Sequence, residues 1–182
     1  MQTALLLVDI QNDYFPGGAM SLVNSVNAGE KAGMLLKAFR AKKLPVIHMQ
    51  HLSVRPGATF FVPGTKGVEI HDCVRPLETE TLFTKKFPNS FRDTGLLQHL
   101  QENKITKLVI AGMMTHMCID STARAAFDLG FSCTLAHDAC ATKDLVFSGK
   151  TVEAAQVHDS FIAALNGLFA SASSVEEICA SL

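Results

Sequence analysis

The chain has 182 residues, 48% of them hydrophobic and 18% charged, with a formal net charge of −1. That size fits one domain with a substantial core, and that balance excludes a disordered chain or a polycation seeking nucleic acid or anionic membrane. No apolar run approaches the roughly 20 residues that cross a bilayer.

Apolar, β-rich runs alternate with helical patterns along the chain, which predicts βαβ units and a parallel sheet. The first strand is expected at about Ala4 to Val8, followed by a Gly/Pro loop through Tyr14 to Ala19 and a helix from about Asn27 to Lys42. A second strand spans Pro45 to Met49. Residues 50 to 79 carry Pro56, Gly57, Pro63, Gly64, Gly67 and Pro76 without periodicity, and so long a connection in a compact domain points to function. A third strand lies around Leu82 to Thr84. Asp93 and Thr94 then cap a helix running to Glu102.

The fourth strand is Lys107 to Ala111, ended by Gly112, and its helix runs from about His116 to Leu129 before Gly130. Ser132 to Ala136 forms the fifth strand, and a long helix covers about Ser148 to Leu168. Ser174-Val-Glu-Glu177 is a capping-box pattern opening a short last helix. With no repeats, linker or low-complexity tract, residues 1–182 read as a single α/β domain. Its expected architecture is three-layer αβα around a mostly parallel, about six-stranded Rossmann-like sheet.

The five cysteines, Cys73, Cys118, Cys133, Cys140 and Cys179, are odd in number and widely spaced. The first residues lack a basic segment, and Asp9 interrupts the apolar run, so no signal peptide is read there. Together these features predict a reducing, cytoplasmic setting. No Cys-x-x-Cys pair suggests zinc.

Ligands of parallel sheets bind beyond the carboxyl ends of the strands. Asp9, Lys85 with Lys86, and Cys118 follow the first, third and fourth strands. Cys118 also falls in the first turn of a predicted helix, where the dipole and free N–H groups favour thiolate. Each has a plain structural reading: a cap for Asp9, solvated charges for the lysines, a small buried hydrophobe for Cys118. Together on one rim they make an acid, an ammonium and a thiol around a pocket.

The segments Leu7-Val-Asp9-Ile-Gln11-Asn12-Asp13-Tyr14-Phe15, Lys85-Lys-Phe-Pro-Asn-Ser-Phe91-Arg-Asp-Thr94 and Gly112-Met-Met-Thr115-His-Met-Cys118 resemble the isochorismatase-like cysteine hydrolases, in order and spacing. That resemblance implies a catalytic triad of Asp9, Lys85 and Cys118. Lys85 is preferred to Lys86 because the family's lysine stands six residues before the phenylalanine matching Phe91. It also implies a cis Met113–Met114 peptide, an oxyanion hole from the Met114 and Cys118 N–H groups, and a homo-oligomer.

True isochorismatases typically lack the cysteine, so Cys118 favours cleavage of a C–N bond in a small amide or ureido substrate through a thioester. The alternative is a vinyl ether hydrolase using Asp9 as acid, which His116 keeps open. The nicotinamidase metal set needs Asp-x-His after the second strand. Here the segment reads His48-Met-Gln-His51, with His71 later, so neither metal nor cofactor is expected.

Gln11, Phe15, His51, Phe60 and Phe61 come from loops expected to overhang the cleft and contact substrate. Arg55 could meet a carboxylate, although solvation explains it equally. His137 and Asp138 are expected at the end of the fifth strand. No glycine-rich phosphate loop supports a nucleotide-binding module instead.

Overall fold

The computed structural model describes residues 2–182. Six parallel strands form one sheet in the order β3-β2-β1-β4-β5-β8. They are β1 (Gln2–Val8), β2 (Val46–His51), β3 (Thr81–Lys85), β4 (Ile105–Met113), β5 (Ser132–Ala141) and β8 (Ser171–Ser173). A small antiparallel hairpin, β6 (Leu145–Phe147) and β7 (Lys150–Val152), stands apart from it. The helices are α1 (Ser25–Ala41), α2 (Leu96–Glu102), α3 (Asp120–Asp128), α4 (Ala154–Leu165) and α5 (Val175–Ser181). No helix among the described residues is long and apolar enough to cross a membrane.

The layers follow from the period of two along β1. Leu5 and Leu7 pack on one face with Ala28, Ala32, Leu35, Leu36 and Phe39 of α1 and with Val175 and Ile178 of α5. Ala4, Leu6 and Val8 face the other way, onto Leu96 and Leu100 of α2, Ala123 and Ala126 of α3, and Leu165 of α4. Covered on both faces, β1 needs the uninterrupted apolar run it has. The α1 residues recur at helical spacing and turn one stripe to the sheet.

Several boundaries differ from expectation. The long helix expected from Ser148 begins only at Ala154, because Ser148 and Gly149 take φ of 51° and 73° and close the β6–β7 hairpin. Of the two expected caps of α2, Thr94 satisfies the first helical N–H and Asp93 does not. Asp93 sits at φ 55°, Gly95 holds the cap position, and the Thr94 hydroxyl accepts from Leu96 N–H at 3.3 Å. β5 continues to Ala141, so His137 and Asp138 lie inside it. There the register with β4 slips, from Ile110 opposite Leu135 to Gly112 opposite Cys140, and the chain swells around them. The last helix starts as expected, with the Ser174–Glu177 box closed in both directions.

The strand order places β4 on one side of β1 and β2 on the other. The crevice between the ends of β1 and β4 is therefore the topological switch point, where a sheet of this kind opens to a ligand.

Candidate active site

Asp9 leaves β1 in the left-handed region, φ 54°, with its N–H donating to the Met49 carbonyl at 3.0 Å. Aspartate tolerates this conformation better than most residues. Beside it, Gly112 at φ 141° lets β4 close on β1, since a Cβ there would run into the Val8 carbonyl oxygen. His51 and Lys85 are the last residues of β2 and β3 and pair in register. From that rim the lysine side chain reaches over β2 to the end of β1.

The Lys85 ammonium stands 2.7 Å from Asp9 Oδ2, and neither side chain has accessible surface. Its donors point to the carbonyls of Phe87 and Pro88, at 3.0 and 3.3 Å, and to His51 Nδ1 at 3.0 Å. Because an ammonium only donates, His51 Nδ1 accepts and the ring proton belongs on Nε2. Neither Asp9 oxygen accepts an aligned hydrogen bond, so the carboxylate is held by charge and keeps lone pairs free for a proton. Lys86, one residue on, is exposed at the surface.

Cys118 sits in a π-helical turn, Thr115–Ile119, in which Ile119 N–H bonds the Met114 carbonyl at 3.2 Å. Such turns recur at functional sites. Its sulfur, a carboxylate oxygen of Asp9 and a ring nitrogen of His51 all lie within 4.8 Å of one another. Residues over a hundred positions apart thus converge on one point.

Burial pushes the Cys118 thiol well up, the Asp9 carboxylate adds to this, and Lys85 only partly opposes them. The expectation of a resting thiolate is therefore corrected: the thiol keeps its proton next to a free carboxylate oxygen. Burial pulls the Lys85 ammonium down, but the Asp9 carboxylate beside it opposes this and its pKa stands above the ordinary value. Burial also lowers His51, which is neutral as its acceptor role requires.

Asp9, His51 and Cys118 are ligand types with metal-like spacing. They do not fit a metal. The Lys85 ammonium already takes the His51 Nδ1 lone pair at 3.0 Å and stands 2.7 Å from Asp9, so a second cation there would meet its charge.

A cavity of about 300 Å³ opens over the sulfur, walled by Tyr14, His51, Phe60, Phe61, Met114 and Met117. Met114 follows a cis peptide, Met113–Met114. Two residues expected at substrate lie elsewhere. Gln11 is fully buried, its amide nitrogen donating to the carbonyls of Val68 (2.7 Å) and His51 (3.0 Å) while its oxygen accepts from His51 N–H at 2.8 Å. It anchors the rim of β2 instead of facing the cavity. Phe15 stacks on the His71 ring at 3.6 Å, away from the sulfur. A single 3-10 turn, Asn12–Tyr14, sends Tyr14 into the cavity in its place.

His48 bonds Glu80 at 3.0 Å below the site. The ring of His116 bonds the Thr142 hydroxyl and meets Phe161 edge-on, outside the cavity wall. His137 and Asp138 line a second hollow of about 360 Å³ with His158 and Asp159. The carbonyls of Phe87 and Pro88 that seat Lys85 carry no sequence signal beyond the proline itself.

Residues 3–177 match the family model described as the isochorismatase domain. The isochorismatase family protein YddQ of Bacillus subtilis is 51% identical over 176 residues, covering 97% of this chain and 98% of that one. An isochorismatase-family structure from Oleispira antarctica superposes with a TM-score of 0.95 at 49% identity, covering 98% of this chain and 96% of the other. A streptothricin hydrolase of Streptomyces noursei is 36% identical over 142 residues, 78% of this chain and 50% of that protein.

Proposed function

Because this chain belongs to the isochorismatase family of hydrolases, we propose that it cleaves the C–N bond of a small amide or ureido compound, with Cys118 as nucleophile. The observation that carries this reading is the buried Cys118 sulfur within 4.8 Å of a carboxylate oxygen of Asp9, which has free lone pairs and the Lys85 ammonium as its countercharge. The relative that hydrolyses streptothricin supports it.

Asp9 takes the thiol proton as sulfur attacks the carbonyl carbon. Lys85 balances the negative charge throughout, so the transfer moves a proton without leaving an isolated buried anion. The Met114 and Cys118 N–H groups receive the oxyanion, a contribution of about 3 kcal/mol per donor. Collapse of the tetrahedral species breaks the C–N bond, and the amine departs with the proton from Asp9. Asp9 then deprotonates a water that opens the thioester, returning the proton to sulfur and releasing the acid. His51 acts as a positioning residue by accepting from Lys85.

A vinyl ether hydrolysis by Asp9 alone would leave Cys118 idle, and His116, the residue that suggested it, is turned to Thr142 and Phe161. Cys118→Ala separates the two. On a panel of small amides and ureas assayed for released ammonia, the variant is expected to lose about three decades of kcat/KM or more. An unchanged rate removes Cys118 from the mechanism.

A further inference from the structure

We propose that the substrate carries an anionic group, a carboxylate or its equivalent, bound at the cavity mouth by Arg55 and Lys86 while its scissile carbonyl lies over Cys118; this rests on the nucleophile reading above. Both cations line the same cavity as the sulfur, and no aspartate or glutamate does among the described residues. Both are exposed, and neither takes part in an ion pair or side-chain hydrogen bond among the described residues.

The charges beneath the mouth cancel. Asp9 and Lys85 form a closed pair, Cys118 keeps its proton, and His51 is neutral. Two positive charges remain, on a protein whose net charge is −1. The local sign therefore opposes the global one and belongs to this site. Arg55 already acts inside it, since its charge helps hold His51 in the neutral form.

The backbone that carries Arg55 is closed at its neck. Ser53 N–H bonds the Phe61 carbonyl at 2.9 Å, and Ala58 N–H bonds the Arg55 carbonyl at 3.1 Å. The loop that carries Arg55 is thus tied by backbone bonds, and Lys86, which lines the same cavity, leaves β3 directly after Lys85. A guanidinium fork matches a carboxylate in two-point geometry, and an ammonium adds an undirected charge. Between mouth and sulfur the walls are Phe60, Phe61, Met114 and Met117. The ligand that fits has an acidic end, a short apolar body and an amide or ureido carbonyl at the far end. At about 300 Å³ the space suits a small metabolite.

The test is a pair of thiol reagents of equal size, iodoacetate and iodoacetamide, applied to the full chain with Cys118 followed by mass spectrometry. The same sulfur attacks the CH2 carbon of either reagent and expels iodide, so its protonation cancels in their ratio. Relative to the ratio for 2-mercaptoethanol in the same buffer, iodoacetate is expected to be favoured at Cys118 by about tenfold, less so at high salt. Arg55→Gln and Lys86→Gln are each expected to reduce that preference by about threefold or more. A ratio equal to the reference, or one that neither variant moves, overturns the proposal.

Should Cys118 resist both reagents, calorimetric binding of succinate decides. Binding that Arg55→Gln weakens supports the cation pair, and no binding at millimolar succinate overturns it. Neither readout needs turnover. A Cys118→Ala variant with full hydrolase activity removes the nucleophile reading while the charge preference stands. Hydrolysis of neutral amides without charge preference at Cys118 does the reverse.

Discussion

Lys85 and Asp9 are fully buried as a pair, so removing one partner leaves an uncompensated charge in the core. Lys85→Met is expected to lower stability by about 3 kcal/mol in urea denaturation and to abolish hydrolysis. In the double variant Asp9→Asn with Lys85→Met, much of that stability should return while activity stays absent. A double variant as unstable as the single one would mean that Lys85 packing, not charge, sets the loss. Asp9, Lys85 and Cys118 were legible as candidates because each follows an apolar run whose end is visible in the sequence. The choice between Tyr14 and Phe15 was not, since one 3-10 turn decides which ring faces in. Nor was the upward push on the thiol pKa, because burial is a property of the assembled core.

Among the elements, the β2–β3 rim depends on Glu80. Arg40 of α1 donates to it through Nε and Nη2 at 2.7 and 2.8 Å, His48 Nε2 lies at 3.0 Å, and Leu77 N–H donates at 2.9 Å. Burial raises the Glu80 carboxyl, but Arg40, Leu77 and His48 outweigh it and hold its pKa at about 2, below its ordinary 4.5. A folded value depressed in this way contributes stability that is complete above pH 4.5 and disappears as pH falls towards 2. Glu80→Gln should therefore lower Tm by about 5 °C at neutral pH. The gap from the natural chain should narrow through that acid window in thermal melts, and a gap constant with pH would contradict the charge assignment.

The alternation of strands and helices was legible from periodicity. The β6–β7 hairpin was not, although Ser148-Gly149 between short apolar runs is a turn signal, because the apolar spacing after it also suits a helix. The swelling of β5 around His137 and Asp138 arises from pairing with β4, which no local pattern encodes.

For the whole molecule, Val146 and Phe147 on that hairpin are 72% and 80% exposed, and Leu168 is 65% exposed. Apolar surface of this kind fits the homo-oligomer implied by the resemblance to its family. Light scattering should return a multiple of the 19.6 kDa chain mass, and Phe147→Asp should shift it downward. A mass of one chain would set the oligomer aside.

β3 is one of the two edge strands of the sheet, bonded on one side alone, and the ammonium that pairs with Asp9 hangs from its last residue. Edge strands fray before the middle of a sheet does. Heat or mild denaturant that peels this margin would withdraw the countercharge from Asp9 while β1 and β4 still hold their partners. The enzyme would then fall silent with its core intact, and recover as soon as the margin reseals.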